Sequence, residues 1–173
     1  MASQATPITY NNQVVASGML GTTTFTDALV TVAFNGDTAN VTGGGGFYSN
    51  MVGTGTLTIA GLGTAIFIDD VYAFVNQSAL AAGIADNTMG GSISDTYNGA
   101  FAAYDLMTAI GPLSGDPFIR PDLTFGTDHG GFNMTGTSGE ATFWATTGTI
   151  PEPGGFLLVT TGLLALVIRR IKK

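Results

Sequence analysis

The first 150 residues are written as short runs in which apolar and polar residues alternate, cut apart by glycine and asparagine. An alternation of period two sends successive side chains to opposite faces of an extended chain. It constrains such a chain to half-buried β-strands. Within residues 55–61, Leu57 and Ile59 face one way, while Thr56, Thr58 and Ala60 face the other. Residues 24–34 put Ala28, Val30, Val32 and Phe34 on one face. Phe132 and Met134 alternate with Asn133 and Thr135, and Ala141, Phe143 and Ala145 oppose Thr142, Trp144 and Thr146. Residues 65–75 are more continuously apolar and read as a central strand pair broken near Asp69 and Asp70. Turn signals stand at residues 35–37, 43–46, 90–91, 98–99 and 129–131. One short helix is expected over residues 78–85, with Ser78 as its cap and Leu80 and Ile84 one turn apart. About eight to ten short strands at regular spacing predict an all-β fold. The expected body is a single antiparallel β-sandwich, jelly-roll-like, over residues 6–149.

Charge narrows the partners of that body. Of twelve carboxylates one is Glu152, and of five basic residues four stand at the very end of the chain. Eleven carboxylates and Arg120 remain, a formal charge of −10. Nucleic acid and anionic lipid are repelled by such a surface; cations and neutral glycans are not. There is no cysteine, so neither disulfides nor thiol chemistry are available. Charged residues are only 10% of the chain, and the surface must be made polar by Thr, Asn, Ser and backbone instead.

The last residues change character. Pro151, Glu152 and Pro153 are followed by residues 154–168 without a charge, then by Arg169, Arg170, Lys172 and Lys173. As a helix the apolar run would be about 22 Å long, short of a hydrocarbon core of about 30 Å. Snorkelling of the basic side chains makes up the difference. A transmembrane helix is therefore expected, its basic cluster cytoplasmic and the body across the membrane. The two prolines hold the preceding peptide extended, and Glu152 keeps it out of hydrocarbon. That leaves an accessible peptide just outside a helix.

This order of parts resembles the PEP-CTERM sorting signal of Gram-negative bacteria, and the resemblance covers residues 150–173 only. It implies export, transient retention in the inner membrane with the body in the periplasm, and cleavage near Pro151, Glu152 and Pro153 by an exosortase. It further implies delivery to the cell surface or the extracellular polysaccharide matrix. A protein sorted this way also needs an N-terminal leader. Ser3, Gln4 and Ala5 form a small-x-small pattern, so residues 1–5 are read as the remnant of a signal peptide.

Chemistry in the body is sparse. The one histidine, His129, stands beside Asp128 in a glycine-rich turn, and no Gly-x-Ser-x-Gly elbow presents a nucleophile. Asp69 and Asp70 are adjacent and would point apart in a strand, so they cannot pair as a glycosidase acid and nucleophile. No catalytic residue is assigned and no enzyme is expected. Asp116, Asp122 and Asp128 are the candidates for calcium, but they lack EF-hand spacing, and solvated loop aspartates are the simpler reading. Zinc is not expected with one histidine and no cysteine. Tyr48, Tyr97 and Trp144 are the candidates for stacking on a glycan, against the plainer reading as core or sheet-face residues. The expectation is a non-enzymatic surface or matrix protein, without a cofactor. The alternative is a glycan-binding or calcium-stabilised adhesive module with the same tail.

Overall fold

A computed structural model describes residues 5–148. The sorting motif, the membrane helix, the basic cluster and most of the leader remnant lie outside the described residues. Within them the chain is all-β and antiparallel. Its strands are β1 (Pro7–Leu20), β2 (Thr23–Asp37), β3 (Val41–Gly44), β4 (Phe47–Asn50), β5 (Gly53–Ile59) and β6 (Gly63–Ile66), followed by β7 (Val71–Asn76), β8 (Ala81–Asp86), β9 (Gly91–Tyr97), β10 (Ile110–Phe118), β11 (Phe125–Thr127) and β12 (Gly130–Thr147). Two 3-10 turns, Thr38–Asn40 and Gly99–Ala103, complete the set, capped by Asp37 and Asn98.

The strands form one sheet in the order β3-β4-β7-β8-β9-β10-β12-β1-β2-β5-β6, with β11 beside β12. The sheet curls at β10. Ile110, Leu113, Ser114 and Gly115 pair with β12, while Asp116, Pro117 and Phe118 pair with β9. The two halves therefore face each other across one core. At one end the curl closes on itself. Ile68 donates to the Gly126 carbonyl and Asp128 to that of Ile66, tying the end of β6 to β11.

The core is built from the faces that alternation selects. Val30, Val32 and Phe34 of β2, Leu57 and Ile59 of β5, and Phe132, Met134, Ala141, Phe143 and Ala145 of β12 are all buried. β1 adds Ile8, Tyr10, Asn12, Val14 and Ala16. Each fully buried large side chain contributes about 1.5–3 kcal/mol. Rings organise the two ends: Phe67 meets Phe132 edge-on and Phe25 stacks on Phe132 at one. At the other, Phe101 meets Phe143 edge-on at 5.4 Å and Tyr104 packs on the same ring. The segment after β9 plugs that end, and Tyr10 Oη donates to the Leu106 carbonyl at 2.7 Å. In the middle, Asn12 spans the halves. Its amide donates to Thr96 Oγ1 at 2.9 Å and its carbonyl accepts from Ser94 Oγ at 2.8 Å. A buried polar tie of this kind has one satisfied arrangement and so fixes the register of the facing halves.

Four expectations need correction. Residues 78–85 are not a helix. Gln77 to Leu80 form a turn, held by the Asn76 side chain accepting from Ala79 N–H and by Leu80 at φ 56°, and β8 follows. Pairing on both sides, to β7 and β9, overrides the helical preference of its alanines. Residues 35–37 are not a turn but the end of β2, hydrogen-bonded to β1 and β5. There Gly36 lies so close to the Asn50 side chain that a Cβ would sit 2.8 Å from its Nδ2. The strands number twelve among the described residues, and β1, β2 and β12 run to 14, 15 and 18 residues rather than being short. Of the pair read in residues 65–75, β7 is internal, but β6 ends the main path of the sheet.

Candidate aromatic and carboxylate face

The two outer faces of the curled sheet differ in chemistry. On the half containing β12, β1, β2, β5 and β6, several rungs carry hydroxyls and amides, between exposed apolar side chains such as Leu29 and Ile66. Ser114 meets Thr142 at 3.1 Å, Gln13 donates to Thr31 at 2.7 Å and Thr58 meets Thr64 at 3.0 Å. Trp144 stands on this face, half-buried, opposite Asn11.

On the other half, β7, β8, β9 and β10 present aromatics and carboxylates. In β7, Val71, Ala73 and Val75 enter the core, which turns Tyr72 and Phe74 outward. In β8, Ala82 and Ile84 enter the core, which turns Ala81, Gly83 and Ala85 to the outer side, where all three are buried. β9 changes phase at a bulge. Ile84 pairs with Ser94 but Ala85 with Ser92, so Ile93 is the extra residue. Ile93 and Ser94 both turn inward, and Asp95 turns out. A straight cross-strand row results: Ser49, Phe74, Gly83, Asp95 and Phe118 are successive partners from β4 to β10.

Gly83 is required in this row. A Cβ there would sit 2.6 Å from Asp95 Oδ1 and 2.8 Å from Asp95 Cα. The carboxylate leans over the bare backbone, accepts from Ser92 Oγ and is only 4% exposed. Burial pushes its pKa up to about 7, against the smaller lowering effect of the Ser92 hydroxyl. Tyr72 and Tyr97 are both raised, first by their own burial and then by the charge of Asp95.

The next row completes a square. Tyr97 lies directly opposite Asp116, and Asp95 directly opposite Phe118. Directly opposed Cβ atoms stand about 5 Å apart. The aromatics thus occupy one diagonal and the carboxylates the other. The Tyr97 and Phe118 rings meet edge-on at 6.5 Å, and Tyr97, Phe118 and Asp116 are exposed.

The other sequence candidates are scattered. Asp122 is held by Arg120 in a two-bond pair at 2.9 and 2.7 Å, which lowers its pKa, and both groups stand in solvent. Asp128 accepts from Ile66 N–H and from His129 Nδ1, both at 2.8 Å, and these bonds, the backbone one first, hold its pKa down. Asp128 and His129 form the turn between β11 and β12. Asp69 accepts from Gly126 N–H, whereas Asp70 accepts from the Asn87 side chain at 3.1 Å. Among the described residues, no three Asp, Glu, His or Cys side chains converge as metal ligands, so Asp116, Asp122 and Asp128 are not brought together. Asp86 is fully buried. Its Oδ1 caps Met89 N–H, and its Oδ2 has no hydrogen-bond partner among the described residues. Of the aromatic candidates, Tyr97 lies in the square, Tyr48 packs against the core, and Trp144 lies on the other half, opposite Asn11.

Asp95, Phe118, Tyr72 and Phe74 were not singled out from the sequence. For β7 the signal was available: an apolar run on both faces of a strand means that its outer side is also covered or used. No family model matches this chain, and neither the curated proteins nor the solved structures include a significant match.

Proposed function

We propose that this is an exported, non-enzymatic surface or matrix protein, carried by a C-terminal PEP-CTERM-type signal that an exosortase cuts near Pro151, Glu152 and Pro153. The observation that carries the reading is the order of that segment: Pro-Glu-Pro, an uncharged apolar run, then Arg169, Arg170, Lys172 and Lys173. The body is compatible with such an anchor. We read its curled sheet as a sandwich-type module, and its chain leaves β12 at Gly148, whose N–H bonds the Pro7 carbonyl at 2.8 Å. Thr146, Thr147 and Gly148, the last described residues, are exposed.

The test is the C-terminal mass of the mature protein, fraction by fraction, in its native host. A terminus near residues 151–153 in the surface or medium fraction supports the reading. An intact Lys173 in the inner membrane, with none processed, overturns sorting and leaves a permanent anchor.

A second reading is a glycan-binding module on the same tail, and the aromatic and carboxylate square favours it. Exposed rings offer apolar platforms to sugar faces, and carboxylates accept from hydroxyls.

A further inference from the structure

We infer that the square of Tyr97, Asp116, Asp95 and Phe118 binds a cationic amino-sugar polymer; this rests on the glycan-binding reading and names its ligand class. The first argument is placement. Each carboxylate has an aromatic neighbour along its strand and another across it. A cation over an aromatic face is attracted by the ring, and a carboxylate beside that ring adds to the attraction.

The second argument is charge. The body carries eleven carboxylates against Arg120 alone, and Arg120 is already paired with Asp122. A uronate polymer is repelled by that field and a neutral polymer gains nothing from it. A polycation is drawn in, and its arrival is steered by the whole surface.

The third argument is shape. Beside the square, β8 turns only Ala81, Gly83 and Ala85 to this side, all of them buried, so the apolar area that reaches solvent here is that of the Tyr97 and Phe118 rings. Two exposed rings on one face suit a saccharide's flat C–H faces better than a flexible side chain. Asp95 lies beneath the rim and keeps its Ser92 bond, acting on the cation through a poorly polarisable surround. Asp116, exposed, makes the direct contact.

The experiment titrates the full-length chain by calorimetry at pH 8 with a β-linked N-trimethylglucosamine hexamer, which stays cationic there. The matched neutral probe is the N-acetylglucosamine hexamer. The expected result is binding of the cationic hexamer at least about tenfold tighter than the neutral one, weakening as salt rises. Phe118→Ala and Tyr97→Ala should each weaken it about fivefold or more, as loss of a cation–ring contact requires. Asp116→Asn, at an exposed position that no core contact depends on, should weaken it about threefold without moving the melting temperature. Equal binding of both hexamers overturns the cationic assignment and leaves the glycan reading standing. Binding of neither overturns both. Equal binding of hexalysine overturns the saccharide class, and tight binding unaffected by all three substitutions overturns the site.

Discussion

Asp95→Asn isolates the energetic cost of holding a carboxylate over Gly83. In the unfolded chain this group titrates near 3.8; in the fold, burial moves it to about 7. Between those values the folded state binds a proton that the unfolded state has lost. Stability is therefore greatest at the acid end of the window and falls as pH rises through it. At about 1.4 kcal/mol per pH unit, the full interval corresponds to about 4 kcal/mol. The amide has nearly the same shape and its Oδ1 can still accept from Ser92, but its NH2 needs a partner that the carboxylate did not. That requirement costs about 1–3 kcal/mol. The variant should thus be about 1 kcal/mol or more less stable than wild type at pH 4.5 and about 1–3 kcal/mol more stable at pH 8. The assay is urea unfolding of both full-length chains at intervals from pH 4.5 to 8.5. The diagnostic quantity is the change in their difference with pH, because packing and hydrogen-bond effects of the amide are constant across the range. A difference that stays flat to within about 0.5 kcal/mol would refute the reasoning, and Asp95 would then be ionised in the fold throughout.

Three further outcomes follow from the same geometry. Gly83→Ala forces a methyl group against the Ser94 carbonyl and the Asp95 backbone, and should cost about 1–3 kcal/mol by denaturant midpoint; a neutral result would mean that β8 and β9 are not in this register. Asn12→Ala leaves Ser94 and Thr96 without their common partner and should cost about 2 kcal/mol in urea unfolding, with a loss below about 0.5 kcal/mol counting against the buried tie. His129→Ala removes only an exposed contact to Asp128 and should change the melting temperature by less than about 2 °C; a larger drop would give that turn a structural role it lacks here.

What the sequence discloses depends on whether alternation runs unbroken. In β5, in residues 30–34 of β2 and in residues 141–145 of β12 it does, and Val30, Val32, Leu57, Ile59, Phe143 and Ala145 face the core as the pattern requires. In β8 there is nothing to alternate: the outward positions are Ala81, Gly83 and Ala85, beside buried Ala82 and Ile84. The pattern then carries no period, and helix propensity fills the gap wrongly. In β9 the bulge at Ile93 reverses the phase. Unbroken alternation would place Ile93 and Asp95 on one face, the core, and Asp95 would look like a buried error. Only the pairing partners of β9 turn it outward, and those are fixed by residues far along the chain. The same holds for the square. Tyr97 and Phe118 are 21 positions apart in sequence and become neighbours only because β10 leaves β12 for β9 at Asp116.

The two outer faces answer different problems posed by one composition. A chain with so few charges must stay wetted by neutral groups, and the hydroxyl rungs of the first face do this while bonding one another. Ser114 with Thr142, Gln13 with Thr31 and Thr58 with Thr64 each use hydrogen-bonding capacity that a ligand would otherwise take. The second face is arranged the other way. Its exposed rings, Tyr97 at 39% and Phe118 at 41%, leave apolar area in water beside Asp116, while Asp95 is held beneath them at an energetic cost that Asp95→Asn would relieve at alkaline pH. Exposed rings beside an exposed carboxylate on β9 and β10 are what the proposed recognition of a cationic ligand on that face requires.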